Sequence, residues 1–363
     1  MRHTNALRPS AAIWAVAVGV VLVACGPTGP ARPAPAAAQP PGGQAETSCP
    51  QMRQIKVGVA VSPPNVVHTP PFVARDLGLF ARRCLDVEII EFEGGLSAAN
   101  LTAVSQGQVI AAMGTVPIAA GLKAHQFWGS AARLPQVYAV PAEVKTAADL
   151  KGKRLSSAGG GVGSFNWLMA REVLKTAGLT VDDVQFITQG TAGRLPGLVS
   201  GQLDGVALHP EDLYLAQQQR PGVHALVELD KLLPLYHFNV WGAADELIRR
   251  DRELVRQLGA ALIEANRTIY RERDRVLPIM VAATQKEPAA VAFAHDFLTR
   301  NCVWSVNTGL ARERTEWMIQ NAIENGDIKP EQRPTYDQVV DETLANEALA
   351  LAGGPTTING CSD

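Results

Sequence analysis

The chain holds 363 residues, 47% hydrophobic, 19% charged and 6% aromatic, with a formal net charge of −2. That apolar content excludes a wholly disordered chain, and the length suits two domains in one globular body. Interspersed charges of both signs leave no footprint for nucleic acid, and beyond residue 25 no stretch approaches the roughly 20 apolar residues that span a bilayer.

At the start of the chain, Arg2 and Arg8 precede an uncharged run from Ala11 to Val23. A basic segment before a short apolar one has the form of a secretory signal peptide, predicted over residues 1–24. Leu22-Val23-Ala24-Cys25 resembles the bacterial lipobox. That resemblance implies lipid on Cys25 and a place in the cell envelope outside the cytoplasmic membrane, at a periplasmic or extracellular face. Residues 25–48 hold six prolines and almost no large apolar side chain, the composition of an extended tether.

Four cysteines remain: Cys49, Cys84, Cys302 and Cys361. An oxidising compartment permits disulfides, and four cysteines allow three pairings. Cys49 precedes the first predicted strand and Cys84 the second. If those strands are parallel neighbours, both cysteines lie at one sheet edge, and the expected pairs are Cys49–Cys84 and Cys302–Cys361. None has the spacing of a metal site.

Ile55 to Val61 reads as a buried strand, Pro70 to Arg83 as a helix and Asp86 to Phe92 as a strand. Leu96 to Gln106 follows as a helix and Val109 to Met113 as a strand. Short apolar strands separated by helical segments argue for βαβ units and a parallel sheet. Between Lys123 and Ala148 only Gln136 to Val140 stands out as a strand. The alternation then resumes. Arg154–Ser157, Val184–Thr188 and Asp204–Leu208 read as strands, Ser164–Thr176 and Thr191–Ser200 as helices. From Asp245 the pattern is helical only, with an apolar stripe through Leu254, Leu258, Leu262, Ala265 and Ile269.

Asp149-Leu150-Lys151-Gly152-Lys153-Arg154-Leu155, Gly163-Ser164, Gly178-Leu179 and Gly201-Gln202-Leu203-Asp204 follow one another in order. Together with Pro71-Phe72-Val73-Ala74-Arg75-Asp76-Leu77-Gly78-Leu79-Phe80, they resemble the solute-binding proteins of ABC importers. The resemblance is to the nitrate, sulfonate, taurine and thiamine-precursor group and covers roughly residues 55–325. It implies an α/β fold of two similar lobes, each with a mostly parallel central sheet flanked by helices, joined by crossover strands around a ligand cleft. The first lobe is expected over residues 49–141 and 236–363, the second over 142–235, with crossovers near Gln136–Pro141 and Tyr236–Gly242. The single strand candidate after Lys123 implies a trimmed hinge. What the resemblance implies for function is a monomeric carrier without cofactor or catalysis, with a small sulfonate-, nitrate- or taurine-like solute, an ABC permease and its ATPase as partners. The alternatives on the same fold are a binder of a thiamine-precursor-like aminopyrimidine, a pyrimidine synthase and a lipid-anchored sensor that serves no transporter. Cytoplasmic pyrimidine synthases share the fold, but the signal segment argues against them. No Gly-x-Ser-x-Gly elbow or His-x-x-x-His pair signals a hydrolase.

Ligands of open parallel sheets bind beyond the strand C-termini. Those positions are Ser62, His68, Gly95, Ser97 and Thr115 in the first lobe. In the second they are Ser157, Gly161, Gly163, Ser164, Thr191, His209 and Glu211, and the crossover adds Tyr236 and Trp241. The loop Gly159-Gly160-Gly161-Val162-Gly163-Ser164 offers backbone N–H groups to an anion, or is a tight strand–helix turn and nothing more. Glu211 and Asp212 accept from an N–H-bearing solute, or complement the dipole of a helix they begin. Tyr236 and Trp241 stack a planar ligand or fill the hinge core. An anion site and an acid pair are compatible in a taurine-like zwitterion or an aminopyrimidine.

Overall fold

A computed structural model of the protein describes Cys49, residues 51–93 and residues 97–363. The expected signal segment, Cys25, the tether and Gly95 lie outside the described residues. Among the described residues there are ten strands: β1 Arg53–Val59, β2 Leu85–Glu91, β3 Ile110–Ala112, β4 Ala124–Ala131, β5 Val137–Val140, β6 Arg154–Ser156, β7 Gln185–Ile187, β8 Val206–Leu208, β9 His224–Glu228 and β10 Asn239–Ala244.

The first sheet runs β2-β1-β3-β10-β4. Its first three strands are parallel, and β10 is antiparallel to both neighbours. In the second lobe β6 pairs parallel with β7, and β8-β5-β9 form an antiparallel set. A parallel bridge from Leu155 to Gly205 puts β6 beside β8. The order is therefore β7-β6-β8-β5-β9, the same plan as the first sheet. In each sheet the fourth strand is the one the chain forms on arriving from the other lobe. This is an α/β protein of two similar lobes.

Two sequence expectations need correction. The segment after Lys123 is not trimmed, because Ala124–Ala131 is an eight-residue strand whose residues are all buried except His125. Burial on both faces removes the polar–apolar alternation by which strands are recognised, and His125, Gln126, Gly129 and Ser130 disguise the rest. Val137–Val140 and Asn239–Ala244 are ladder strands rather than free crossovers. The connections between the lobes are residues 132–136 and 229–238.

Local chemistry explains the motifs that carried the resemblance. Asp149 accepts the N–H groups of Lys145 and Thr146 at 2.9 and 2.8 Å, which caps the turn before β6. Asp204 takes a bidentate pair of bonds from Arg154, at 3.0 and 2.9 Å, and donates its own N–H to the Arg154 carbonyl. These residues hold turns against strands. The apolar stripe of helix Arg252–Arg271 is buried and packs on helices Pro70–Asp76 and Glu342–Leu351. Disulfides join Cys49 to Cys84 and Cys302 to Cys361. Among the described residues no helix is long and apolar enough to cross a membrane.

Candidate functional site

His68 follows β1 and stands just before the helix Pro70–Asp76. His209 follows β8 and immediately precedes the helix Pro210–Gln219. Both therefore lie beyond strand C-termini, one from each lobe, and their rings meet edge-on at 5.8 Å. Phe238, at the end of the second connection, lies 5.8 Å from His68 and 6.2 Å from His209. Phe165 adds the second lobe's glycine loop to this group. It is the first residue of the helix after that loop, and its ring meets Phe238 at 5.9 Å and Tyr236 at 6.2 Å.

Polar bonds cross between the lobes at the same place. Oε1 of the fully buried Glu211 accepts from Asn65 Nδ2 at 2.9 Å and from the Val66 N–H at 3.0 Å. Lys286 donates to Asp212 at 2.6 Å, and the Gln136 amide meets His209 Nε2 at 3.2 Å. Five polar atoms of this region are buried without a partner: Glu211 Oε2, Asn65 Oδ1, Gln136 Oε1, His209 Nδ1 and His68 Nδ1. Orphaned buried groups each cost about 1–3 kcal/mol, so their clustering makes this interlobe region the candidate site. His68, Ser130, Asn239 and Trp241 line a crevice too narrow to hold a water molecule.

Arg194 was not expected from the sequence. It is 6% exposed, and its Nε donates to the Thr191 carbonyl at 3.1 Å. Among the described residues no carboxylate lies within ion-pair distance of it. A buried cation without a paired acid is costly and points to a site. Burial lowers its pKa, against the raising influence of Asp212 and Glu211. Burial first, then Arg194, holds His68 down at about 4, and the same two causes hold His209 well below the usual imidazole value. Both rings are neutral at pH 7. Glu211 is pushed up by burial and by Asp212.

The structure thus gathers His68, His209 and Glu211 into one interlobe region, with Tyr236 reaching it through Phe165, whereas Trp241 shares only a first-lobe crevice with His68 and packs on Trp128. Other expected residues are occupied locally. Ser62 is exposed and donates to Glu91 at 2.8 Å, and Ser97 and Ser164 cap helices. The buried Thr115 hydroxyl accepts from Gln126 at 3.0 Å. Ser157 pairs with Thr188 at 3.0 Å beside the glycine loop, in which Gly161 and Gly163 have φ of 78° and 82°. A Cβ on Gly159 would meet the Thr191 hydroxyl at 3.6 Å, which places Thr191 at the same loop. Asn65, Gln136, Arg194, Phe238 and Lys286 escaped sequence reading. Only Arg194 carried a signal there, as a lone cation opening an apolar helix.

A family model described as NMT1/THI5 like matches residues 65–275, more than half of the chain. The chain belongs to the NMT1/THI5-like family. Comparison with curated proteins finds no match. Among solved structures, the alkanesulfonate-binding protein SsuA from Xanthomonas axonopodis pv. citri, bound to MOPS, is 18% identical with a TM-score of 0.63 and covers 80% of this chain and 99% of its own. The periplasmic nitrate-binding protein NrtA from Synechocystis PCC 6803 is 12% identical, TM-score 0.64, covering 82% and 89%. The desulfurization enzyme DSZB is 18% identical, TM-score 0.59, covering 82% and 99%. At such identities the likeness is one of fold, and this NMT1/THI5-like chain shares its two-lobed frame with carriers and an enzyme alike.

Proposed function

We propose that the protein is an extracytoplasmic solute-binding protein, anchored by lipid on Cys25, that captures a small solute between its lobes and delivers it to an ABC permease. The observation that carries this reading is the interlobe cluster, where an unpaired buried guanidinium and a half-satisfied buried carboxylate face the same region. Arg194 suits an acidic group, and Glu211 Oε2 with Gln136 Oε1 suits N–H donors. A taurine-like zwitterion satisfies both, and an aminopyrimidine satisfies the second while stacking on Phe238. A simple anion such as nitrate leaves Glu211 unanswered. The neighbouring carriers SsuA and NrtA support transport, whereas DSZB keeps a catalytic reading open to test.

The test is a thermal-shift panel of taurine, alkyl sulfonates, nitrate, bicarbonate and aminopyrimidines. A solute present at a hundred times its dissociation constant should add about 2.7 kcal/mol. Taurine or an aminopyrimidine is expected to shift the transition and nitrate is not, with the solute recovered unchanged. Silence across the panel, or consumption of the solute, overturns the carrier reading.

A further inference from the structure

We infer that Arg314 is a positioning residue for the hinge, its guanidinium tying both connections between the lobes to one helix and so limiting how far the lobes part. Arg314 lies in the first turn of helix Arg312–Glu324. Its Nη1 donates to the carbonyl of Ala132 at 2.9 Å and to that of Pro234 at 2.6 Å. Ala132 begins the first connection and Pro234 lies within the second. One nitrogen therefore spans the two segments about which the lobes turn.

The helix that carries Arg314 belongs firmly to the first lobe. Its Ile319 and Ala322 are buried in a core with Ala111 of β3 and Val240 of β10. One turn after Arg314, the Trp317 ring meets Tyr236 of the second connection at 6.0 Å. Tyr236 in turn meets Phe165 of the second lobe. The same helix thus grips the second connection twice and the first once.

Among the described residues no carboxylate lies within ion-pair distance of Arg314. Its charge is spent on backbone carbonyls, and charge-assisted hydrogen bonds are roughly twice as strong as neutral ones. Hinge segments work by absorbing changes of φ and ψ. Two carbonyls fixed to one guanidinium cannot reorient independently, so the hinge moves as a pair or not at all.

The structure supplies its own reporter of closure. The Val66 N–H, in the first lobe, bonds to Glu211 in the second, and that bond breaks when the lobes part. Closing as a motion is taken from the binding reading above, but the test needs no solute.

Hydrogen exchange is measured on the full-length chain and its Arg314→Met and Arg314→Lys variants. Methionine keeps much of the aliphatic stem and removes every donor. Arg314→Met is expected to exchange Val66 about tenfold faster, with parallel gains at residues 132–136 and 229–238 and no change in the β1–β2 ladder. Arg314→Lys, which keeps a charged donor, should recover most of the protection. Unaltered exchange at Val66 and both connections in Arg314→Met overturns the inference. If Arg314→Met also loosens the β1–β2 ladder, the milder Arg314→Gln is read by the same comparison. The same solute panel titrated in parallel separates the two proposals: no response to any member, with Val66 still faster in the variant, removes the solute reading and leaves the hinge.

Discussion

Lowering the pH from 7.5 to 5 is expected to remove about 4 kcal/mol of folding stability, through His68 and His237 together. Each is fully buried, and each is held far below the imidazole value of about 6.5. Burial and Arg194 bring His68 to about 4. Burial and Arg314 bring His237 to about 3, against a smaller raising influence from the Gly309 backbone. The unfolded chain takes up protons on these rings from about pH 6.5 downward, while the folded chain takes them up only near pH 4 and below. Stability therefore rises with pH through this window and is lost as pH falls. Each ring accounts for about 2 kcal/mol at pH 5, and His209, shifted the same way, adds to the loss. Glu211 works in the opposite sense. Its raised value means that the folded chain binds the proton more readily, so acidification relieves part of its cost. Urea unfolding at pH 7.5 and 5 measures the sum. The His237→Gln variant should lose about 2 kcal/mol of the difference between the two pH values. A stability that is flat across the window refutes the assignment.

Replacing Cys302 and Cys361 together by serine is expected to cost about 4 kcal/mol, seen as a fall in Tm of roughly 6 °C. The bond spans 59 residues, and cross-linking a long loop removes much of the freedom of the unfolded chain. It also fastens the C-terminal segment to the frame near the hinge. The Asp363 side chain accepts the N–H of Asn307 at 3.0 Å, and Arg267 donates to the carbonyls of Val306, Ala352 and Gly354. Arg267 is 6% exposed, so releasing this segment leaves a buried guanidinium short of acceptors. Loss of the segment should therefore show as faster exchange at residues 303–310 as well as a lower Tm. Calorimetry of the double-serine variant at pH 7.5 checks the first. A variant as stable as the unaltered chain would mean that the hydrogen bonds alone hold the segment.

Much of the frame could be read along the chain. Strands β1, β2, β3, β6, β7 and β8 overlap the segments that read as strands in the sequence. Helix Arg252–Arg271 announces itself by a stripe at helical spacing, and Ser97 and Ser164 mark the helix starts they cap. These signals are local, because the period of burial within one element is set by that element's own geometry. Strand β4 was not legible. Both of its faces are covered, so its sequence carries no alternation, and its polar residues find partners far away in the chain, as His125 does in Asp245 and Ser130 in the Asn239 carbonyl.

By itself, then, the sequence determined the fold class, the order of the elements and the strand ends from which a site must be built. His68, His209 and Glu211 were found because such ends are positions in the chain. Only the tertiary structure decided which of those ends meet. Asn65, Gln136, Arg194, Phe238 and Lys286 join the site, and Arg314 joins the hinge, across separations no local pattern records. The reason is physical. A buried polar group is defined by what surrounds it after the lobes have packed, and its partners come from wherever the fold brings them.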